Sequence, residues 1–426
     1  DLDLFVGGRV VPGKYPVTPN SRLLVNQGGV FSDQTKNLSP GLLQAGLVNS
    51  AVWSDYDGDG WIDLWVACEW GPIRVWRNEN GVFKETTESL GLSNTKGWWT
   101  SILPVDIDSD GDMDYAVGNL GYNTKYTASM KEPLVLHWGE MDDSGKPRLI
   151  EACYKSGKFL PIRGKSCSTN AIPSLADKFK TFHAFASADL TDIYQPKFLD
   201  QSLRIEINEL ASGIWLNEGG EFRFQEFPSL AQTSSVFGMS AADFNGDGWI
   251  DLGLVQNFFP MQPETGRVNG GLGMLLLGSE SGKFSPQFAK ESGLVIPADS
   301  TSLSLVDLNA DSRPDFVVAN NNGVIQAFLN EGRGASPLLV QVKGDPGNLR
   351  GAGSRLQVIR KKGTAEVIDL TLGLGYLTGN EPQAWVSHRM DNPVRHLVLT
   401  DSMGRQHKLS PSPMAKSAIF DLISKK

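Results

Sequence analysis

Cysteine and histidine are scarce in this chain of 426 residues, which contains three cysteines and five histidines. The cysteines are Cys68, Cys153 and Cys167, and this small, odd number excludes a disulfide framework. A single bridge between Cys153 and Cys167 and a set of buried thiols are both compatible with the sequence. The histidines form no His-Glu-x-x-His pattern and no other zinc spacing. A zinc enzyme or a disulfide-rich small domain is therefore excluded as the first interpretation.

Basic residues are outnumbered, with 39 Lys and Arg against 48 Asp and Glu and a formal net charge of −9. Because phosphate binding needs a basic surface, nucleic acid is excluded as the expected partner. Long apolar runs are missing too, and none approaches the roughly 18 residues of a membrane span. Hydrophobic residues nevertheless make up 40% of the chain, enough for a true core. The length predicts one large fold or two to three domains.

What the chain does contain is one acidic segment repeated four times, with the pattern D-x-[DN]-x-D-G-x-x-D. We number its positions 1 to 9 and call residues 55–63, 106–114, 243–251 and 307–315 loops 1 to 4. Only loop 4 departs from the pattern, since Ser312 replaces glycine at position 6. An apolar, strand-like stretch precedes and follows each loop. The repeated unit is therefore predicted to be strand, acidic loop, strand.

The spacing of these oxygen ligands predicts calcium. Ca²⁺ takes about six to eight oxygens, and carboxylates at positions 1, 3, 5 and 9 converge when the loop wraps around one point, with the position 7 carbonyl as a further ligand. An EF-hand instead closes with Glu at position 12 between helices. Four copies argue against plain Asp-Gly turns, so about four structural Ca²⁺ sites are predicted. The predicted ligands are Asp55, Asp57, Asp59, Trp61 and Asp63; Asp106, Asp108, Asp110, Asp112 and Asp114; Asp243, Asn245, Asp247, Trp249 and Asp251; and Asp307, Asn309, Asp311, Arg313 and Asp315.

A second signature alternates with the loops and predicts a two-strand hairpin with an Asn-x-x-Gly tip. Its copies begin at Asn26, Asn78, Asn217 and Gly278, and a truncated copy begins at Asn330. Two hairpins per repeat give four strands, and neighbouring repeats of this kind stack around an axis as propeller blades. The predicted fold is therefore all-β, a calcium-loop β-propeller of about seven blades, some incomplete.

Two segments look like damaged copies of the acidic loop. Asp1-Leu-Asp3 matches the end of a loop, with Asp3 at position 9, and this predicts that the first ligand lies upstream of Asp1. Residues 140–148 keep the loop pattern but place Arg148 at position 9, where a guanidinium repels a cation. No metal is expected at residues 140–148.

Two regions break the repeat. Residues 166–209 carry helical spacing at Leu175, Phe179, Phe182 and Ala186, and a second stretch through Phe198, Leu199 and Leu203. This helical insertion is either a lid or partner surface, or a connection packed on the rim. From residue 336 the loops stop, and short strands separated by Gly, Pro and Asn predict a small β-sandwich-like domain. The predicted domains are therefore 1–335 and 336–426.

The repeats resemble the FG-GAP or VCBS repeats of integrin-α-like propellers, and Phe237-Gly238 stands before loop 3 as the FG signature. Residues 348–356 and 373–377 resemble two motifs of the ASPIC/UnbV domain. The chain is thus similar to bacterial proteins that join both modules and to the cartilage acidic protein family. After Tyr376 it departs from the ASPIC/UnbV pattern, because Val386-Ser-His388-Arg stands where Phe-Gly-Leu-Gly is expected, which puts a ligand site there in doubt. The resemblance implies an extracellular, cell-surface or periplasmic protein, in a family most of whose members have no known activity.

Three functions remain open from the sequence. The first is a non-catalytic calcium-binding scaffold that binds protein or glycan at the cell surface in adhesion. The second is a propeller-based enzyme acting on polysaccharide, although no catalytic residue can be assigned. The third is an accessory subunit of an outer-surface assembly. Tryptophans at 70, 98, 99 and 138 either stack on sugars or fill the contacts between blades, and the second interpretation is favoured.

Overall fold

The computed structural model describes residues 1–262, 265–363, 365–412 and 415–423. Strands hold 41% of the residues and helices 11%, which confirms the all-β class. In chain order the strands are β1 Leu4–Val6, β2 Arg22–Gln27, β3 Val30–Asp33, β4 Leu47–Ser54, β5 Asp63–Glu79, β6 Val82–Glu85, β7 Lys96–Trp98, β8 Ser101–Val105, β9 Asp114–Gly118, β10 Leu134–Glu140, β11 Pro147–Lys155, β12 Lys158–Pro161, β13 Leu203–Ile207, β14 Gly213–Asn217, β15 Phe222–Glu226, β16 Val236–Ala242, β17 Asp251–Gln256, β18 Met274–Leu277, β19 Ser285–Gln287, β20 Ser300–Val306, β21 Asp315–Asn320, β22 Gln326–Phe328, β23 Leu338–Lys343, β24 Ser354–Arg360, β25 Ala365–Leu370, β26 Gly373–Leu374, β27 Thr378–Gly379, β28 Gln383–Val386, β29 Val394–Thr400, β30 Gln406–Leu409 and β31 Ser417–Asp421.

The helices are short. They are α1 Thr35–Leu38, α2 Lys165–Ala171, α3 Ser174–Lys178, α4 Phe182–Ala186, α5 Leu190–Ile193, α6 Pro196–Gln201 and α7 Ala289–Ser292, with 3-10 turns at Pro40–Gln44, Leu92–Asn94 and Ser229–Thr233.

Five sheets repeat one antiparallel meander along the chain. We call them sheet I (β1–β3), sheet II (β4–β7), sheet III (β8, β9, β14, β15), sheet IV (β16–β19) and sheet V (β20–β22). Strand β17 is buried along its whole length, because sheet IV is covered on both faces. The first strands of sheets II to V are β4, β8, β16 and β20, which lie next to one another in that order. We call them the inner strands.

Consecutive sheets pack face to face through separate hydrophobic cores. Sheets I and II share one core, II and III a second, III and IV a third, and IV and V a fourth. Aromatic side chains fill the second core, where the ring of Trp65 stacks on that of Tyr115 with centroids 3.6 Å apart. Trp99 is fully buried in the same core. Five such sheets form in the described residues, so the predicted number of about seven blades is not confirmed.

An inserted unit separates β9 from β14 within sheet III. Its sheet has the order β12-β11-β10-β13, and helices α2 to α6 cover it around a core of its own. The predicted helix from Leu175 to Ala186 is wrong in its continuity, because Thr181 is extended and caps a new helix, α4. Phe182 is consequently 68% exposed. The second predicted helix ends at Gln201, and Leu203 begins β13.

The C-terminal unit, residues 338–423, contains two further sheets around one core. Their strand orders are β28-β23-β31 and β25-β24-β29-β30, and β31 runs parallel to β23. The strands that the sequence predicts at residues 338–343, 356–359, 366–372, 383–386, 396–400 and 406–409 match β23, β24, β25, β28, β29 and β30, whereas β26, β27 and β31 were missed. Arg360 is buried here and is neutralised by Glu366, with Nε 2.6 Å from Oε1. The core residues are Leu338, Val340, Val342, Leu356, Val358, Leu370, Ala384, Val386, Leu397, Leu399, Ala418 and Phe420.

Candidate metal loops

Each acidic loop is the turn between an inner strand and the next strand of the same sheet. The glycine that three of the four loops carry at position 6 predicts a left-handed backbone there. The structure has it in every loop, with φ of +88° at Gly60 and +69° at Ser312. Position 4 is left-handed as well, and this was not predicted, because Ser109 and Ala310 stand there in two loops. Two left-handed residues in each loop bend the chain around a point.

Backbone amides hold the first and last carboxylates of every loop. The position 1 carboxylate accepts a hydrogen bond from the position 6 N–H, and the position 9 carboxylate accepts one from the position 2 N–H. The first contact measures 3.1, 3.2, 2.9 and 2.9 Å in loops 1 to 4. The second measures 3.2, 3.0, 2.9 and 2.8 Å. Positions 1 and 9 therefore shape the loop as well as facing its centre.

The second oxygen at position 9 binds the first residue of the hairpin signature. The backbone N–H of Asn78 lies 2.8 Å from Asp63 Oδ1, and that of Asn217 lies 2.8 Å from Asp114 Oδ1. Gly278 and Asn330 repeat the contact in loops 3 and 4, and Asn26 makes it with Asp3 at 2.8 Å. The hairpin signature is thus part of the loop architecture, a role that sequence reasoning missed because the separation between loop and hairpin varies, from 15 residues in loop 1 to 103 in loop 2.

Carboxylates converge in loops 1 and 2. The oxygens of Asp55, Asp57 and Asp63 lie within 4.8 Å of one another, and those of Asp106, Asp108 and Asp114 do the same. These are positions 1, 3 and 9, whereas position 5 lies outside both groups. Three converging carboxylates suit a hard cation. Asp55 Oδ1 is also buried without a hydrogen-bond partner in the described chain, so these residues fit Ca²⁺.

Burial raises the pKa of these carboxyl groups. The pKa is raised from 3.8 to about 8 for Asp63, Asp106 and Asp114, first by desolvation and then by the neighbouring aspartates. In loop 3 the pKa of Asp243 rises to about 6 and that of Asp251 to about 7. Gathering these acids without a cation is therefore unfavourable at neutral pH.

The loops differ in the charges already present. In loop 1 Arg77 pairs with Asp57 at 2.7 Å and with Asp59 at 2.9 Å, and Arg355 of the C-terminal unit lies 3.5 Å from Asp55. In the described chain no loop 2 carboxylate has an ion pair, and the charges that act on Asp106 are those of other aspartates. Loop 2 is therefore the most negative of the predicted sites.

Loops 3 and 4 carry an amide at position 3 instead of a carboxylate. Asn245 Nδ2 donates to Asp247 Oδ2 at 2.8 Å, and Asn309 Nδ2 donates to Asp311 Oδ2 at 3.1 Å. Their amide oxygens still supply neutral ligands. Of the three positions that converge in loops 1 and 2, loops 3 and 4 therefore carry a carboxylate at two, positions 1 and 9.

Residues 140–148 keep the turn but not the closing acid. The Gly145 N–H donates to Glu140 Oε1 at 2.7 Å, as position 6 does in the other loops. Arg148 stands at position 9, and its side chain lines a cavity with Arg163 and Tyr194. The expectation that this loop binds no metal stays a prediction.

Two buried glutamates lie outside the loops and are bound by tyrosines. Tyr15 donates to Glu69 at 2.5 Å, and Tyr126 donates to Glu151 at 2.9 Å. Burial raises the pKa of Glu69. The adjacent Trp70 is buried, has φ of +59° and donates its indole N–H to Tyr15. Sequence reasoning missed this cluster, because its members are far apart in the chain.

The described structure shows neither a disulfide nor a helix that could span a membrane. Cys68 and Cys153 are buried, and Cys153 and Cys167 are not joined by a disulfide in the described structure. Among the described residues, no helix combines the length and apolar character that crossing a membrane requires.

Comparison with solved structures finds distant likenesses. The chain is similar to the Vibrio cholerae biofilm matrix protein Bap1 with 10% identity and a TM-score of 0.25. The match covers 97% of this chain, which spans only 59% of the length of that protein. It is also similar to the exotype rhamnogalacturonan lyase YesX, with 11% identity, a TM-score of 0.28 and coverage of 97% and 70% of the two chains.

Comparison with protein families gives a match that coincides with the loops. No curated protein sequence matches the chain. Residues 55–117 match the FG-GAP-like repeat, and this segment begins with loop 1 and ends three residues after loop 2. The chain is therefore similar to FG-GAP repeat proteins over the segment in which both carboxylate groups converge.

Proposed function

We propose that this protein is a non-catalytic, calcium-binding scaffold built as a propeller-like stack of sheets. The observation that carries the proposal is the convergence of buried carboxylates at positions 1, 3 and 9 in two repeats. Bound calcium supplies positive charge at the point where these carboxylates meet. Backbone N–H groups at positions 2 and 6 already hold the turn. The bound ion would therefore link an inner strand to the next strand of its sheet.

Such loops belong to a calcium-rich environment. Extracellular calcium modules bind with dissociation constants of about 10⁻⁴–10⁻³ M, and the FG-GAP likeness favours the same location. We therefore place the protein outside the cytoplasm, in the periplasm, at the cell surface or in the medium. Its partner is a protein or a glycan, and adhesion is the function that a large rigid surface serves best. An ASPIC/UnbV-like role for residues 336–426 is part of this proposal.

Thermal unfolding in calcium and after its removal tests the proposal. Calcium at 100 times the dissociation constant adds about 2.7 kcal/mol per site, so the Tm should rise by several degrees. Asp108→Asn should reduce this gain, since Asp108 belongs to the loop 2 group. Asp177→Asn is the matched control, because the Asp177 side chain is 89% exposed on α3. An unchanged Tm in excess calcium would sink the calcium assignment.

A second candidate, an enzyme acting on polysaccharide, is favoured by the buried glutamates alone. Glu69 and Glu151 are carboxylates with tyrosine partners outside the loops, the residue types used for acid–base chemistry on sugars. The test is a screen of hydrolysis and lyase activity on acidic and neutral glycans. Activity that Glu69→Gln or Glu151→Gln abolishes, with calcium-dependent Tm retained, would support the enzyme over the scaffold.

A third candidate, an accessory subunit of an outer-surface assembly, places the helical insertion 166–209 at the docking surface. Phe182 is the residue that favours it, since this phenylalanine is 68% exposed on α4. Capture from native membranes with the wild type and with Phe182→Ser tests it. Equal capture by both proteins would argue against docking through α4.

A further inference from the structure

A short hairpin of the C-terminal unit lies among the inner strands of four sheets. It consists of β26, β27 and the residues between them, 373–379, and we call it the plug. The Gly375 carbonyl accepts a bond from Ser50 Oγ at 2.6 Å, and the Gly375 N–H donates to Ile102 O at 3.2 Å. These contacts tie the plug to β4 and β8.

The other half of the plug reaches the remaining two inner strands. The Tyr376 N–H donates to Phe237 O at 3.3 Å, and the two rings pack with centroids 5.1 Å apart. Thr378 Oγ1 lies 2.9 Å from Ser302 Oγ. Leu374 packs against two of the hydrophobic cores. A single seven-residue segment therefore touches sheets II to V, where their inner strands meet.

The two strands that precede the plug, β24 and β25, contact loops 1 and 2 directly. From β24, Arg355 donates to the Asp55 carbonyl of loop 1 and pairs with its carboxylate. From β25, the Val367 N–H donates to Asp106 Oδ2 of loop 2 at 2.9 Å. Asp55, Asp106 and Arg355 are buried or nearly so, which shields these contacts from water.

Arg389 joins two loops at once. Its Nε donates to the Gly248 carbonyl of loop 3 at 2.7 Å, and its terminal nitrogen donates to Ser109 Oγ of loop 2 at 2.8 Å. The guanidinium also stacks on Trp249 at 4.1 Å. Loop 4 differs, since the Arg313 side chain binds Gly334, before the C-terminal unit begins. Loops 1 to 3 thus form the seat of the C-terminal unit, whereas loop 4 has no hydrogen bond or ion pair to that unit among the residues that the structure describes.

We propose that calcium loading of loops 1 to 3 and seating of the plug are coupled, so that each strengthens the other. This inference rests on the proposed calcium function. The coupling follows because the same loop residues serve both events: Asp106 belongs to the converging carboxylate group of loop 2 and accepts from the Val367 N–H, and Asp55 belongs to that of loop 1 while its backbone carbonyl accepts from Arg355. Loops ordered by the ion present these acceptors in place, and a seated C-terminal unit holds the loops in their binding form.

Hydrogen exchange on the full chain tests the coupling. Exchange of residues 373–379 is compared at about 1 mM Ca²⁺ and after calcium removal, in the wild type, Asp108→Asn and Asp311→Asn. Both variants replace one loop aspartate by asparagine, Asp108 in the converging group of loop 2 and Asp311 in loop 4. Calcium should slow exchange of the plug by about fivefold or more in the wild type and in Asp311→Asn, and by much less in Asp108→Asn.

Two results would overturn the coupling while leaving calcium binding intact. The first is calcium protection of residues 106–114 with no change in residues 373–379. The second is an equal loss of plug protection in both variants. Absence of calcium protection in loops and plug alike would instead overturn the proposed function.

The reciprocal measurement is a calcium titration of Arg389→Gln. Its calcium affinity should fall by about fivefold or more, because the C-terminal unit loses the side chain that holds loops 2 and 3. Arg405→Gln is the control on the same unit, since Arg405 pairs with Asp401 and has no hydrogen bond or ion pair to a loop in the described chain. Wild-type affinity in Arg389→Gln would contradict the coupling.

Discussion

At the scale of single residues, the nine positions of a loop divide into two duties. Positions 1 and 9 are buried in loops 1 to 3 and receive backbone hydrogen bonds, so they build the turn even without a metal. Position 3 is exposed at Asp57 and Asp108 and contributes less to the turn, since within the described chain Asp57 accepts a single backbone hydrogen bond, from the Asp59 N–H at 3.3 Å. A substitution at position 3 should therefore reduce metal affinity with little change in the metal-free fold.

Arg77 is expected to weaken calcium binding at loop 1. It pairs with Asp57 and Asp59, so a cation must displace it from position 3. Partly exposed pairs of this kind contribute about 0.2–1 kcal/mol, and Arg77→Gln should therefore raise the calcium affinity of loop 1 by about 1.5- to 5-fold. Calorimetric titration measures this, with Arg223→Gln as control because Arg223 pairs with Glu218 outside the loops. Lower affinity in Arg77→Gln would show that the arginine organises the site.

The raised carboxyl pKa values predict opposite pH responses with and without calcium. Asp63, Asp106 and Asp114 have pKa about 8 in the folded chain against an ordinary 3.8. Between these values the folded state holds more protons than the unfolded state, so raising the pH lowers the stability of the metal-free protein. Calcium binding requires the deprotonated groups, so the calcium-induced gain in Tm should grow over the same range.

Melting curves at pH 5 and pH 8 measure both responses. Calcium is best removed on a chelating resin, since the affinity of a soluble chelator itself changes with pH. Asp114→Asn should reduce the fall in Tm of the metal-free protein between pH 5 and pH 8, because it removes one of the three carboxyl groups with a raised pKa. An equal calcium-induced rise in Tm at the two pH values would contradict the assignment of the buried aspartates as ligands.

At the scale of elements, the asparagine of the hairpin signature joins neighbouring loops. Asn217 Nδ2 donates to the carbonyl of Tyr56 in loop 1 at 3.2 Å and to that of Met113 in loop 2 at 3.4 Å. Asn330 likewise donates to the carbonyl of Phe244 in loop 3. These two hairpins therefore tie their own loops to the loop of the preceding sheet, whereas Asn78 Nδ2 donates to Ile62 of its own loop.

Removing one such joint should destabilise the protein. Asn217→Ala leaves buried carbonyls without a donor, which costs about 1–3 kcal/mol, since Asn217 is 4% exposed. Asn37→Ala is the matched control, because Asn37 is exposed and its hydrogen bonds within the described chain go to the side chain of Gln34 and to backbone of its own helical turn. Denaturant unfolding gives both free energies. Equal free energies of unfolding for the two variants would show that the hydrogen bonds of Asn217 between the loops do not stabilise the protein.

The sequence predicts those elements whose signals are local. The acidic loops, their strands and the position 6 turn follow from spacing alone, because each loop closes on itself within nine residues. The break at Thr181 was missed because helical spacing continues through it, and the capping of α4 overrides that spacing. Arg355, Val367 and Arg389 were missed because each reaches a loop more than 100 residues away, with no pattern in the chain to indicate it.

At the scale of the whole molecule, sheets II to V leave their inner strands side by side, and the C-terminal unit occupies the place where those strands meet. Sheets I and V share no hydrophobic core in the described part of the chain, unlike the four consecutive pairs. The plug instead bridges sheets II to V from within. The sheets are thus held together by the loops, by the hydrophobic cores between the sheets and by the plug of the C-terminal unit.

The plug offers a matched pair of leucines for testing that fastening. Leu374 packs against two intersheet cores, whereas Leu377 in the same hairpin is 82% exposed. Leu374→Ala should destabilise the protein by about 2 kcal/mol, the lower end for a leucine truncated in a core, because Leu374 is only partly buried. Leu377→Ala should stay within about 0.5 kcal/mol of the wild type. Denaturant unfolding measures both, and limited proteolysis should cut the C-terminal unit faster in Leu374→Ala alone. Equal stability and equal cleavage in the two variants would mean that the plug rests among the inner strands without holding them together.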